Sequence, residues 1–543
     1  MSALAVPAWI VAALLLPLLA LAAVRVDRLR AAALVLAPLP LLVLALSPEG
    51  GLAAPRLLLG TAWAVDGVNR PLLLLAGLGF ALAGGVAGAR VSRAPTLFAT
   101  VWLLVLAGVA QALLAAELAG FYTGYLVMSL TAYGLVVHAA TSEALRAGRV
   151  YLVMALLGEA MVLAGVLQLA GSREAVDVLS LASQPPAPGV AWLLFAGFAV
   201  KLGLVPLHLW LPVAHPVAPV PASAVLSGVL VKLGLLGMMR VLPEGSLAPA
   251  TLVFFLGLAT SAYGALAGLA QSRLKTVLAY STVSQMGLLF AGFAALQAAG
   301  GGTAVLGLLA LHHGLNKIAL FLAAGGAVGA SRVRATLFAL PALALVGLPA
   351  FTGALAKDAL KSTLAPAGWE AFAWMLSIGS LLTALLMLHG WRLARADRGD
   401  AGVPPPIHPA WPLAVLAGIA VPWAWAVSAG LARSPLAGIW DALWPALLAL
   451  VAWTLATRLR GNRAAPRIPE GDLLQPLATI ATALRNAGVA VLDRWNAWQP
   501  PVPHLRPLTR LAALEPAMVR LPGAGGLMLV LLLVIAALAW RAS

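Results

Sequence analysis

The stretch Lys201-Leu-Gly-Leu-Val-Pro206-Leu-His208-Leu-Trp210-Leu-Pro212-Val-Ala-His215-Pro-Val-Ala-Pro-Val220-Pro-Ala-Ser223-Ala-Val-Leu-Ser227-Gly-Val-Leu-Val-Lys232 decides the fold. It joins two apolar runs, 190–211 and 222–241, each long enough to cross the hydrocarbon core of a bilayer as a helix. Each run carries one lysine, Lys201 or Lys232, and Pro206 and Pro212 interrupt the first. A charged amine at that depth costs roughly 2.5–3.5 kcal/mol on insertion scales, so it needs a partner, a water-filled cavity or a lost proton.

Working outward, the whole chain repeats this pattern. Of 543 residues 62% are hydrophobic and 10% charged, with a mean hydropathy of +0.99. Apolar stretches fall at 5–24, 31–47, 71–89, 97–116, 118–140, 150–171, 190–211, 222–241, 249–270, 276–296, 303–326, 336–363, 370–391, 411–431, 436–457 and 524–541. The fold class is therefore an all-α polytopic membrane protein of about 16 transmembrane helices. The first stretch has no convincing cleavage site and reads as a retained helix. With no cysteine there is no disulfide, thiolate metal site or iron–sulfur cluster, so redox chemistry belongs to a partner. No cofactor is expected.

The net charge of +16 comes mostly from arginines gathered in alternate loops, among them Arg25, Arg28, Arg30, Arg90, Arg93, Arg146, Arg149, Arg273, Arg332, Arg334, Arg392, Arg395 and Arg398. The positive-inside bias makes this face cytoplasmic and turns both termini outward, as in a multi-pass protein of the cell inner membrane. Topology accounts for the charge without nucleic acid. Six lysines stand against 28 arginines, and Lys201, Lys232, Lys317 and Lys357 sit inside or at the edge of apolar runs. A desolvated lysine can lose its proton near neutral pH and an arginine cannot, so this distribution suits proton carriage. Snorkelling or structural pairing is the alternative reading of each lysine.

Between 458 and 523 the chain has its one long non-spanning segment. Leu473, Leu477, Ile480, Leu484, Val491 and Trp495 make one helical stripe, which predicts an amphipathic helix on the cytoplasmic face before a final span at 524–543.

The opening stretch, together with Arg273-Leu-Lys-Thr-Val-Leu-Ala-Tyr-Ser-Thr-Val-Ser-Gln-Met-Gly287, His313-Gly-Leu-Asn-Lys317 and Gly347-Leu-Pro-Ala-Phe-Thr-Gly-Ala-Leu-Ala-Lys-Asp358, resembles a known family. These residues are similar to the antiporter-like subunits of respiratory complex I, of group 4 membrane hydrogenases and of Mrp-type cation/proton antiporters, over roughly residues 60–395. The resemblance implies two inverted five-helix repeats, each with a broken helix. The expected organisation is N-terminal helices at 1–96, a first repeat at 97–241, a second at 249–391 and additional helices at 392–457. Pro206 and Pro349 interrupt apolar runs near Lys201 and Lys357, and broken helices mark ion sites in membranes. By resemblance Lys201 takes up a proton in the first half, Lys232 bridges to the middle, Lys317 is the centre and Lys357 ends the second half, next to Asp358. His312 and His313 precede Lys317, and His313 shares its helix face at i, i+4, a spacing that permits relay through one water. His208 and His215 are weaker relay candidates. No carboxylate or second histidine stands at metal-ligand spacing.

One position departs from the family. Where members have Trp-Glu, this chain reads Tyr125-Leu126, so Lys201 loses its expected counter-charge. Glu117, nine residues earlier, faces the opposite side of the helix, whereas Glu159 in the next span is the better substitute. The remaining options are an unpaired Lys201 or an inactive first channel. Asp66 matches an acidic family position and reads equally well as an interfacial residue.

The function implied is a proton-translocating subunit, moving protons or exchanging sodium ions for them through a lysine and histidine relay in a complex I-related or membrane-hydrogenase-type assembly. The alternative is an antiporter-like subunit with a non-redox partner, of Mrp or inorganic-carbon-uptake type. A self-contained membrane enzyme fits poorly, because the 18 Asp and Glu lie mostly unpaired in loops. The implied partners are other membrane subunits, the transported ions and the bilayer.

Overall fold

The computed structural model describes residues 5–55, 60–172, 185–399, 404–432, 438–460 and 468–471. Helix dominates them, and twelve helices are long and apolar enough to cross a membrane. Each of the first fifteen predicted stretches has a helical counterpart. Beyond the twelve these are Leu118–Val136, which five threonines and tyrosines make less apolar, and two broken helices. The sixteenth stretch, at 524–541, and the stripe from Leu473 to Trp495 lie outside the described residues.

An N-terminal group comes first: α1 (Val6–Leu19), α2 (Asp27–Leu36), α3 (Leu39–Ala45) and α4 (Arg70–Arg90). Between α3 and α4 lies an antiparallel hairpin, β1 (Gly50–Ala54) with β2 (Thr61–Val65). The sequence reading contains no strand there, and the alternation Thr61-Ala-Trp63-Ala-Val65, with its first, third and fifth residues buried, is the signal it passed over. Asp66 then accepts from the amides of Val68 and Asn69 and pairs with Arg240 at 2.6 Å, so it ties this turn to a distant helix.

Two five-member sets follow. The first holds α5 (Pro95–Leu114), α6 (Leu118–Val136), α7 (Ser142–Ser172), the broken pair α8 (Pro188–Leu202) and α9 (Trp210–Val217), and a last member in which α10 (Val220–Val225) passes through a π-turn at Leu226–Leu230 into α11 (Lys232–Val241). The second holds α12 (Ala250–Leu269), α13 (Leu274–Ala298), α14 (Thr303–Ala323), the broken pair α15 (Arg332–Val346) and α16 (Thr352–Leu364), and α17 (Glu370–Ala396). The broken member comes fourth in both. Five crossings are an odd number, so the second set runs opposite to the first. Two helices follow, α18 (Ala410–Ser428) and α19 (Ile439–Arg460), packed against α14 and α17 respectively.

Both broken helices stop for the same local reason. Each first half ends on a glycine in the left-handed region, Gly203 at φ 76° and Gly347 at φ 86°, and Pro206 or Pro349 follows within three residues. A left-handed glycine closes the last helical turn, and a proline just beyond cannot resume it. The closing residues of both first halves, Leu202 with Gly203 and Val346 with Gly347, are buried. Their last carbonyls form a negative end in a poorly solvated interior, to which a lysine is a favourable neighbour.

Around these sits an unusually closed middle. Over α13 and α14 almost every residue is buried, polar ones included, which is the burial expected of helices surrounded by other helices and not by lipid. At the arginine-rich face Arg273 pairs with Glu143 at 2.7 Å and with Glu470 at 3.0 Å, and Gln271 donates to the Ile468 carbonyl at 3.3 Å. This is where the described start of the 458–523 segment docks.

Candidate functional site

Lys201 occupies the last turn of α8, before Gly203, and is 5% exposed. Its ammonium donates to the Ser129 hydroxyl on α6, with the Tyr125 and Tyr151 rings at 5.5 and 5.8 Å. Tyr151 in turn donates to the Ser129 carbonyl at 2.8 Å. Glu159 on α7 is buried, hydrogen-bonded to Ser129 and electrostatically coupled to Lys201, while its Oε2 has no hydrogen-bond partner among the described residues. Glu159 and Lys201 thus share the Ser129 hydroxyl between them. Ser129 lies three residues after Leu126, on the same face of α6, and was missed because a lone serine in an apolar run carries no spacing signal. Glu117 caps α6 by accepting from the Gly120 amide at 2.8 Å.

Lys232 begins α11 and is fully buried. Its ammonium donates to the Ser227 carbonyl at 2.7 Å and meets His313 Nδ1 at 2.7 Å. The π-turn explains the first contact: the Val231 amide bonds to Leu226 five residues back, a wide turn that leaves the Ser227 carbonyl available. Glycines explain the second. A Cβ on Gly228 would lie 3.0 Å from the Gly314 carbonyl, and one on Gly314 would lie 2.6 Å from the Gly228 carbonyl. Only glycine at both positions lets the two backbones come this close, which carries Lys232 onto His313, the neighbour of Gly314.

His313 and Lys317 share a helix face, and the direct hydrogen-bond partner of His313 is Lys232 on the first set. Lys317 instead donates to the Leu278 carbonyl at 2.5 Å and to the Ser281 hydroxyl at 3.1 Å, with the Phe321 ring 5.3 Å away. The next hydroxyl along, Thr282, bonds Ser227 at 2.7 Å, so a polar seam of α13 runs beneath both lysines. His312 meets the Thr352 hydroxyl of α16 at 2.7 Å. Lys357 donates to the Ser380 hydroxyl of α17 at 2.6 Å and to the Val346 carbonyl at 2.9 Å, the last residue of α15.

Lys201 and Lys357 thus answer to one another differently from their positions in sequence. Lys201 belongs to the half-helix that stops, whereas Lys357 belongs to the half that restarts and reaches back to its partner's end. The Lys357 ammonium reaches the carbonyl end of α15, whereas the Lys201 ammonium turns to Ser129 on α6. Asp358 lines the cavity beside Lys357. His208 falls in the first break, beside Tyr263 at 5.3 Å, and His215 stacks on Phe321 at 4.7 Å. Among the described residues no group of three or more His, Asp or Glu could hold a metal ion.

Residues 115–383 match the model of the NADH:quinone oxidoreductase/Mrp antiporter transmembrane family. On those residues the chain is an antiporter-like membrane protein of the complex I and Mrp class. Its relatives include an NAD(P)H-quinone oxidoreductase chain 4 of Picosynechococcus sp., 29% identical over 62% of this chain and 68% of the relative. Another, from Microcystis aeruginosa, is 32% identical over 49% of this chain and 50% of the relative. The Mrp complex from Dietzia sp. shares the fold, with a TM-score of 0.63 at 23% identity, over 84% of this chain and 96% of that one. The matched parts of these two relatives thus amount to half to two thirds of their length. All of the site lysines and histidines fall within the family match, whereas α18 and α19 fall outside it.

Proposed function

We propose that this antiporter-like protein moves protons across the membrane through the buried series Glu159, Ser129, Lys201, then Lys232 and His313, with Lys317 beside them, then His312 and Lys357. The observation that carries this reading is the Lys232–His313 contact, a buried amine at hydrogen-bond distance from a buried imidazole on the other five-helix set. Two titratable groups so placed can pass a proton directly, which neither a structural ion pair nor a snorkelling lysine needs. Ser129, Ser281, Thr352 and Ser380 hold the ammoniums or the imidazole in place. Pro206 and Pro349 belong to the breaks beside Lys201 and Lys357, the second of which supplies the Val346 carbonyl to Lys357. Orientation follows the arginine-rich loops, with that face cytoplasmic and both termini outward.

Partner membrane subunits complete the unit. The curated relatives named above are chains of quinone oxidoreductases, which favours an assembly whose redox or hydrogenase module drives the ions, over an Mrp-type or carbon-uptake partner. Flux tests the path itself. In membrane vesicles holding the native assembly, with a potential set by potassium and valinomycin and proton entry followed by a pH-sensitive dye, Lys232→Met is expected to lower the rate about a hundredfold, the scale of a lost proton-transfer group. The amount of chain in the membrane stays unchanged. Full flux in Lys232→Met would overturn the reading.

A further inference from the structure

Two cavities meet at Lys357. The inner one, with a water-accessible volume of about 20 Å³, is lined by His312, His313, Gln285, Gly353 and Lys357. The other, of about 40 Å³, is lined by Lys357, Asp358, Lys361, Ser377, Ser380 and Asp441. A cavity needs roughly 10–15 Å³ to hold one water, so the inner space takes a single molecule and the other takes two or three. Both are polar enough to bind them. Across the rim of the larger cavity Lys361 pairs with Asp441 at 3.2 Å and also donates to Ser377 at 3.3 Å. The carboxylate is largely exposed at 61%, and the ammonium is half-buried at 20%.

Asp441 stands in the first turn of α19, a helix beyond the two repeat sets and beyond the family match. It is on the same side of the membrane as the α16–α17 turn, opposite the arginine-rich loops. A helix with no part in the repeats therefore supplies one wall of the space beside Lys357.

We propose that the Lys361–Asp441 pair, set where α16, α17 and α19 meet, is a gate on the water-accessible space beside Lys357. The proposal rests on the proton-carrying role of Lys357 for its purpose but not for its geometry. When the pair is closed, the Lys361 side chain stays between Ser377 and Asp441 and narrows the path to Ser380. Once it parts, the ammonium swings to solvent and the larger cavity opens. Lys361 and Asp441 are positioning residues, acting on access to Lys357 and not on its chemistry.

The absence of cysteine from the chain allows a direct test of access. Ser380→Cys, in vesicles of either orientation holding the native assembly, is exposed to Ag⁺, an ion small enough for the cavity. Blocked thiol is then read on this chain by maleimide labelling after denaturation. Ser377→Cys reports the rim and Ser281→Cys the closed middle. The expected result is block of Ser380→Cys from the face opposite the arginine-rich loops only, none at Ser281→Cys, and block roughly two- to fivefold faster in Asp441→Asn, the factor set by an exposed ion pair. Asp441→Glu keeps the pair and restores the parent rate. Reaction from the arginine-rich face, no reaction at Ser380→Cys while Ser377→Cys reacts, or equal rates in Asp441→Asn and Asp441→Glu would overturn the proposal. Flux in the same vesicles is read separately, so a gate without proton carriage, or proton carriage without this gate, is distinguishable.

Discussion

The two broken helices present the same problem and solve it in different surroundings. Lys201 is caged by two tyrosine rings, a serine and a neighbouring carboxylate, and is 5% exposed. Lys357 is held by one carbonyl and one hydroxyl and stands between two spaces that take water. Among the described residues no ion pair within 4 Å includes either lysine. The first site has a carboxylate near the ammonium by way of Ser129, whereas the second has a helix-end carbonyl and adjoining space large enough for water. The two breaks thus each hold an ammonium, from opposite halves of the broken helix, in different surroundings.

Three sets of substitutions sharpen or break that contrast. The largest effect on ion movement is expected at Glu159→Gln, which removes the buried carboxylate beside Lys201. Proton flux in vesicles falls about tenfold, equivalent to about 1.4 kcal/mol on the limiting barrier. Leu126→Glu in that background places a carboxylate one turn from Ser129 and recovers the rate. Loss without recovery would mean that the cage, not the charge, matters. Replacing lysine by arginine comes next, read as detergent-solubilised thermal stability. The closed cage around Lys201 leaves no room for the longer fork, so Lys201→Arg costs about 1–3 kcal/mol by overpacking, while Lys357→Arg extends into its cavity at little cost. Equal losses would erase the distinction between cage and cavity. The break glycines come last. Gly203→Ala and Gly347→Ala each cost about 1–2 kcal/mol from the left-handed backbone. Only Gly347→Ala also disturbs ion movement, because the new methyl would come 2.9 Å from Lys357 Nζ.

Much of this was legible in the chain. Long apolar stretches gave the spanning helices, since a bilayer tolerates little else, and the pairing of proline with a nearby lysine located both breaks. The lysines and histidines were named because a charge in an apolar run is costly enough to need a reason. Ser129, Thr352 and Ser380 were not, because a hydroxyl can satisfy itself on its own helix and so costs an apolar run little. Periodicity did not reveal the direct partner of His313. Spacing along one helix reports shared faces, but which lysine arrives there depends on how closely a second helix approaches, and that was set by Gly228 and Gly314. Asp66, balanced between two readings in sequence, proved to be an anchor for Arg240.

The π-turn at Leu226–Leu230 has a consequence for how this chain can change in length. A helix turns about 100° per residue, so one residue gained or lost in regular helix would rotate everything after it by that angle. The wide turn takes up one residue locally, and deleting one of its residues would let ordinary bonding resume with Lys232 still facing His313. What such a deletion would remove is the opened Ser227 carbonyl that the Lys232 ammonium now reaches.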